Sequence, residues 1–410
     1  MEAGREERDG IAAKNGRDMT GAEAPPGLQQ EEYVDMKLRV AQGTFAKGLT
    51  AVGHAVKPSP SSPILGQVLA IAGDGRLQLT ATTLELTITY ALEAEVEQAG
   101  QATLPFRLTS EFVHALPVAT PVSVSVDKKH LAHFSCGRTE GNLKGLAPAD
   151  FPKVPTLESG AVVRLKPSLL REMIEQVVPA VATDTSRPIF TGVLTELRGD
   201  GSVRMVAADG YRLALRDASL EERPAEELKL IIPGRTLIEV ARILLADTKG
   251  DEHPVEMGLS GNKSHVVFRR ANAEVASRLL EGSFPNYEAI LPKEQGAIVE
   301  VERGALLAAV RSARVFSDQI VRLQFGGGKL LVTAAAAETG ENSSELDASI
   351  EGEAGRIAFN VRYLADALAT VSTEQVRMEV LSSVRPGVFR PTAGTDALHL
   401  IMPMAEQAAV

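Results

Sequence analysis

Three stretches of this 410-residue chain gather side chains that carry out chemistry elsewhere. His130, His133 and Cys136 fall at spacings that zinc ligands could take, but a structural zinc site needs four ligands and no fourth lies nearby. Gly326-Gly327-Gly328-Lys329 could wrap a phosphate, yet the spacing and the following Ser or Thr of a phosphate loop are missing. Asp247, Asp251 and Glu252 read as a solvated acidic loop. No nucleophile sits beside a base, and no pair of carboxylates stands out. The sequence therefore predicts no catalytic residue, no metal and no cofactor.

A fourth stretch poses a different question. In Met205–Arg216, "MVAADGYRLALR", two apolar runs flank Asp209-Gly210, a dipeptide suited to a two-residue hairpin turn because glycine accepts positive φ. Tyr211, Arg212 and Leu213 follow at once. Strand alternation alone sends Tyr211 and Leu213 to a core and Arg212 to water.

The elements that hold this hairpin recur. Apolar helices are predicted at "GTFAKGLTAVGHAV", "PSLLREMIEQVVPAV" and "RGALLAAVRSARVF", each followed by a strand pair. Those pairs, "LQLTATTLELTITY", "VRMVAADGYRLALR" and "KLLVTAAAAETGEN", start at residues 77, 203 and 329, two equal steps of 126. A second unit, strand into helix, recurs as "LPFRLTSEFVHAL", "LIIPGRTLIEVARIL" and "IAFNVRYLADALATV", with Arg107, Arg235 and Arg362 at matching places. Two independent markers with nearly one period mean three copies of one domain. Each copy reads as a doubled βαβββ unit, an α+β domain with antiparallel sheets and two helices on one side. The expected boundaries are 36–157, 158–291 and 292–410, the last with a short tail; residues 1–35 read as a disordered, acidic extension.

Charge is distributed unevenly. The net charge is −10, but the six predicted helices hold twelve bases against six acids. A basic helical layer on an acidic body suits a phosphate backbone. Without basic patches interleaved with aromatics, stacking on single strands is not expected. No apolar run reaches the roughly 20 residues that span a bilayer, so no membrane partner is expected. The single cysteine, Cys136, excludes an internal disulfide and fits a reducing cytoplasm.

"AADGYRLAL", "LEGSFPNYEAILP", "FNVRYLADAL", "SPILGQVL" and the terminal "LIMPM" together resemble the bacterial DNA polymerase III beta subunit family, the sliding clamps. The resemblance runs in order from Met36 to about Met404. It implies a head-to-tail homodimer of three-domain chains, a ring around double-stranded DNA with helices inside and sheets outside. It further implies a groove for short partner peptides of the Gln-Leu-x-Leu-Phe type. The matching positions are Phe190, Gly210, Tyr211, Arg212 and Leu213 around the hairpin, and Pro285 and Ile290 in the connector. Val384, Pro386, Leu400, Met402, Pro403 and Met404 supply the rest from the third domain. Lys47, Lys57, Arg171, Arg187, Arg235, Arg311 and Arg314 are expected to face DNA, and Phe112, Val315 and Phe316 the dimer contact. Ser59 stands where the family often has a DNA-touching arginine, and Lys57 is its candidate substitute. The implied partners are the replicative polymerase catalytic subunit, the clamp loader, and other polymerases or repair proteins carrying a clamp-binding peptide. Two rival readings are a paralogue specialised for repair or inhibitor tolerance, and a hydrolase on a duplicated α+β scaffold. The hydrolase lacks a polar cluster to act with.

Overall fold

The doubled βαβββ plan is visible in all three copies of a computed structural model that describes residues 35–405, apart from 159–161, 246–252, 293, 295, 318, 337–339 and 394–395. The first copy runs β1 (Met36–Ala41), α1 (Gln42–Gly53), β2 (Gln67–Gly73), β3 (Arg76–Thr82), β4 (Leu86–Glu93) and β5 (Glu95–Gln98). It then repeats the plan as β6 (Gly100–Pro105), α2 (Phe106–Ala115), β7 (Pro121–Val126), β8 (Leu131–Cys136) and β9 (Thr139–Lys144). The second copy has β10 (Val163–Leu165), α3 (Pro167–Val177), β11 (Gly192–Leu197), β12 (Ser202–Ala208) and β13 (Arg212–Ser219). Its second half is β14 (Leu228–Pro233), α4 (Gly234–Ile243), β15 (Val255–Leu259), β16 (His265–Arg270) and β17 (Ala273–Arg278). The third begins with β18 (Ala297–Glu302), α5 (Arg303–Phe316), β19 (Ile320–Gly326), β20 (Lys329–Ala336) and β21 (Gly340–Glu351). It ends with β22 (Gly355–Asn360), α6 (Val361–Thr370), β23 (Gln375–Val380), β24 (Gly387–Pro391) and β25 (Asp396–Ile401).

Five of the six α-helices start at the residue after their strand, and α3 after the single residue Lys166. Glu302 and Asn360 cap α5 and α6 by accepting from backbone N–H groups of the first turn. Pro167 opens α3, where a missing N–H costs nothing. Each helix buries one apolar stripe: Phe45, Leu49 and Val52 in α1, Leu170, Ile174 and Val177 in α3, and Leu306, Val310 and Ala313 in α5. Strands alternate, as in β1, where Met36, Leu38 and Val40 point inward.

The sheets do not stop at domain boundaries. Strand β4 of the first domain pairs antiparallel with β17 of the second, making one eight-stranded sheet. Strand β13 of the second pairs in the same way with β25 of the third, Leu213 opposite Leu400 and Leu215 opposite Leu398. The glycine run at 326–329 is the β19–β20 turn: Gly326 pairs with Lys329, and Gly327 and Gly328 both have positive φ. Among the described residues no helix is long and apolar enough to cross a membrane.

Candidate functional site

At the second junction the β12–β13 hairpin meets the connector after β17 and the last strands of the third domain. The turn lies one residue later than the sequence suggests. Ala208 pairs with Leu213 and Asp209 N–H donates to the Arg212 carbonyl, so Gly210-Tyr211 forms the tip. Gly210 has φ +96°, and an added Cβ would come within 3.1 Å of the Arg187 guanidinium. Asp209 organises the corner: its Oδ1 accepts from the N–H groups of Tyr211 and Arg212 at 2.8 and 3.0 Å.

With Tyr211 at the tip of the turn, the simple alternation fails for Tyr211 and Arg212. Tyr211 is 62% exposed, whereas the Arg212 side chain is only 13% exposed. Arg212 Nε donates to Asp209 Oδ2 at 3.1 Å, its Nη1 donates to Asp366 Oδ2 of α6 at 2.7 Å, and its guanidinium stacks 4.2 Å over the Tyr363 ring. Leu213 is buried, as expected, in an apolar floor with Leu215, Val388, Leu398 and Leu400.

Above that floor is a cavity of about 740 Å³. Phe190, Gly210, Tyr211, Arg212, Leu213, Pro285, Ile290, Val384, Pro386, Leu400 and Met402 all line it. Pro403 and Met404 do not. After Met402 N–H donates to the Tyr211 carbonyl, Met404 N–H donates to Ala358, carrying the chain onto the third domain's β22. Tyr211, Ile290, Leu381, Val384 and Met402 are large apolar side chains left exposed around this one cavity. Such a patch, bounded by polar groups, marks a surface that binds something.

Sequence reasoning missed the connector's aromatics. Phe284 meets Phe190 edge-on with ring centroids 6.2 Å apart, and Tyr287 is buried beneath the connector. "SFPNY" carried the signal, but which ring turns inward depends on the opposing sheet. Tyr287 Oη donates to Glu196 Oε2 at 3.0 Å and accepts from Arg204 Nη1 at 3.3 Å. Burial would raise the Glu196 pKa, but hydrogen bonds from Lys229, Arg198 and Tyr287 outweigh it and hold the carboxyl below its ordinary range. These groups fasten the connector's inner side, where a second cavity of about 430 Å³ opens.

The other expected site residues lie elsewhere. Lys47, Lys57, Arg235, Arg311 and Arg314 are exposed on or just after their helices. Arg171, also expected to face DNA, is half-buried, with Nε and Nη2 shielded from solvent. Arg187 sits at the hairpin corner: its Nη2 donates to the Asp209 carbonyl at 3.1 Å and its guanidinium lies 4.8 Å over the Phe190 ring. That placement is beside the groove. Val315 is 76% exposed at the end of α5 and Phe316 is half-buried. Phe112 tucks edge-on against Phe134 of its own domain, 5.8 Å between centroids.

The decoys resolve into structure. Cys136 is buried, with Sγ 3.7 Å from the Thr120 carbonyl it donates to, and His133 Nδ1 lies 2.8 Å from Asn142 Oδ1. Among the described residues no group of His, Cys, Asp or Glu could hold a metal ion. Asp247, Asp251 and Glu252 lie outside the described residues, as do positions 1–34 and 406–410.

Three doubled βαβββ domains joined through continued sheets, six helices and an apolar groove at one junction define a three-domain clamp protein. The chain matches the N-terminal, central and C-terminal domain families of the DNA polymerase III beta subunit over residues 36–155, 164–286 and 288–405. It belongs to that family, the beta sliding clamps, and is a processivity factor of DNA polymerase III rather than an enzyme. It is 32% identical over 377 residues to the beta sliding clamp of Synechococcus elongatus, covering 90% of this chain and 99% of that one. With the Synechocystis clamp it shares 30% over 393 residues, at the same coverage. The Bacillus subtilis clamp structure superposes with a TM-score of 0.85 at 27% identity, covering 91% of this chain and all of that one. A Pseudomonas aeruginosa clamp bound to griselimycin gives 0.83 at 27%, covering 90% of this chain and all of that one.

Proposed function

We propose that two chains close head to tail into a six-domain ring that encircles duplex DNA without reading its sequence. The domains, taken as 36–157, 158–291 and 292–410, turn their helices inward and their sheets outward. Lys47, Lys57, Arg235, Arg311 and Arg314 meet phosphates, which carry charge but no sequence information, so the ring is free to slide. The observation that carries this reading is the repeated strand pairing at the junctions. Each joins the hairpin strand of one domain to the last strand of the next. The hairpin strand of the third domain, β21, and the last strand of the first, β9, have no such mate within the described chain. A second copy supplies both mates at once, and closure removes open sheet edges. Val315 of α5 and the Phe112 helix of the partner then meet beneath the seam.

The groove between Tyr211, Ile290, Val384 and Met402 takes a short apolar peptide from each partner: the replicative polymerase catalytic subunit, the clamp loader, and repair polymerases. Its flexible methionine and exposed rim suit several ligands in turn. Griselimycin, bound by the Pseudomonas aeruginosa relative, is a second probe of this chain. The setting is the cytoplasm, where Cys136 stays reduced.

The experiment is light scattering on the sized protein, followed by retention on circular DNA. The expected mass is twice 43.6 kDa, and retained protein should be lost when the circle is cut. A monomer, or equal retention on cut circles, overturns the ring.

A further inference from the structure

We propose that at each seam Arg138 forms an ion pair with the partner subunit's Glu345, so that charge as well as backbone pairing selects the closing contact. The inference rests on the head-to-tail reading above and deepens it to a residue contact.

The register follows from matching strand pairs across the three domains. On the last strands, Gly141, Val275 and His399 lie opposite Phe134, Phe268 and Phe389. Those rings in turn lie opposite Val124, Met257 and Met378. On the hairpin strands, Thr89, Leu215 and Ser343 lie opposite Thr80, Val206 and Thr333. Those in turn lie opposite Leu69, Leu194 and Arg322, each the third residue of its strand. At the first junction Val275 pairs with Ile88, and at the second His399 pairs with Ala214. Each mate stands one residue before Thr89 or Leu215. The same rule at the seam sets Gly141 opposite the partner subunit's Asn342. Counting on along the antiparallel pair, Glu140 meets the partner's Ser343 and Arg138 meets the partner's Glu345.

The Arg138 position already bridges a junction within the chain. Arg138 and Asn272 are each the second residue of the tight turn before the last strand. Ala91 N–H donates to the Asn272 carbonyl at 2.8 Å, and Asn272 Nδ2 donates back to the Ala91 carbonyl at 2.9 Å. At the second junction Asp396 lies opposite Asp217 in that place. The seam alone sets opposite charges there, and opposite charges directly across a strand pair stabilise it.

Both groups have charge to spare in the single chain. Glu345 and Asp347 share Lys329, at 3.1 and 2.9 Å, so one cation serves two carboxylates. Arg138 is exposed and, among the described residues, makes no ion pair. Neighbouring registers are disfavoured by the same charges. Sliding the strands by two residues either way sets Glu140 against the partner's Glu345 or the partner's Glu341, and like charges directly opposed are destabilising. A slide by one residue turns every side chain to the wrong face.

The test is sedimentation of the full-length protein over a dilution series, for the parent, Arg138→Glu, Glu345→Arg and the double variant. In the parent background Arg138→Glu turns two attractions per ring into repulsions and should raise the dimer dissociation constant about tenfold. In the Glu345→Arg background the same change restores opposite charges and should lower the constant about tenfold. This reversal of sign is independent of whatever Glu345→Arg does to Lys329. Both effects should shrink in about 1 M salt, where the screening length is about 3 Å. If Arg138→Glu acts in the same direction in both backgrounds, or in neither, the ion pair does not form. A parent that stays monomeric at all concentrations instead removes the ring itself.

Discussion

Arg212 Nη1 and Asp366 Oδ2 meet at 2.7 Å across the boundary between the second and third domains. The same guanidinium braces Asp209 and covers Tyr363, so one side chain ties the groove's corner to the third domain's helix. Arg212→Ala should lower unfolding free energy by about 1–3 kcal/mol, the range for losing a charge-assisted hydrogen bond in a shielded place. Arg212→Lys should recover only part of it, because an ammonium can neither fork between two carboxylates nor stack flat. Chemical denaturation of the three proteins checks the order.

The groove has a floor and a rim, and they should respond differently. Leu213 is 1% exposed, so Leu213→Ala should cost about 2–5 kcal/mol of stability as well as peptide affinity. Met402→Ala, at the rim, should weaken a Gln-Leu-x-Leu-Phe pentapeptide by about 1–3 kcal/mol while leaving the melting temperature unchanged. Calorimetric titration paired with thermal melts separates the two. Equal peptide affinity for parent and Met402→Ala would place the peptide elsewhere.

Much of this was legible in the sequence because it depends on local periodicity. The repeat of 126 residues, the six helices and the strand-to-helix steps all follow from apolar spacing. What escaped depends on contacts between distant segments. Asp209-Gly210 is a good turn dipeptide, yet only Gly210 takes positive φ, and the Asp209 carboxylate caps the corner instead. That moves Arg212 inside and Tyr211 out. The Arg187 side chain is held by Phe190 and the Asp209 carbonyl, contacts that no local pattern announces. Phe284 became part of the groove only because the connector folds back over Phe190.

Acid should loosen the second junction through His399. This imidazole is buried on β25 beside Thr370, and burial, with Arg212 adding, pushes its pKa down to about 4. An unfolded histidine titrates near 6.5. Above that pH both states are neutral and the full stability is present. As pH falls, the unfolded chain takes up the proton first, so stability drops between about 6.5 and 4 and levels off below. The whole loss is about 3 kcal/mol, with about 2 kcal/mol gone by pH 5. His399→Gln should flatten the difference between urea midpoints at pH 7 and pH 5. An unchanged difference would assign the acid sensitivity to other groups.

The exposed helical cations should set salt dependence. Arg311 and Arg314 are exposed on α5, so reversing both to glutamate should weaken DNA retention at low salt and flatten its dependence on salt. Each lost phosphate contact reduces the slope by roughly 0.9. Arg171→Glu should act mainly on stability, because its Nε and Nη2 are shielded within the fold. Retention on circular DNA across a salt series, beside a thermal melt, distinguishes these outcomes.

Val315 offers the sharpest separation of ring from fold. By the helix alignment that superposes Phe45 on Leu306 and Leu49 on Val310, Val315 occupies the place of His54. At the first junction His54 touches the neighbouring domain, with Nδ1 3.1 Å from Arg242 Nη1 and 3.6 Å from Glu239 Oε2. Val315 is 76% exposed in the single chain. Val315→Ala should therefore leave the unfolding of dissociated chains unchanged within about 0.5 kcal/mol, the usual range for surface substitutions. If the ring closes as proposed, the same side chain is packed twice, once at each seam, and each truncation should cost about 1 kcal/mol. The dimer dissociation constant should then rise roughly thirtyfold, since each 1.4 kcal/mol is a factor of ten. Sedimentation over a dilution series reads that shift directly. A dissociation constant equal to the parent's would move the seam away from the end of α5.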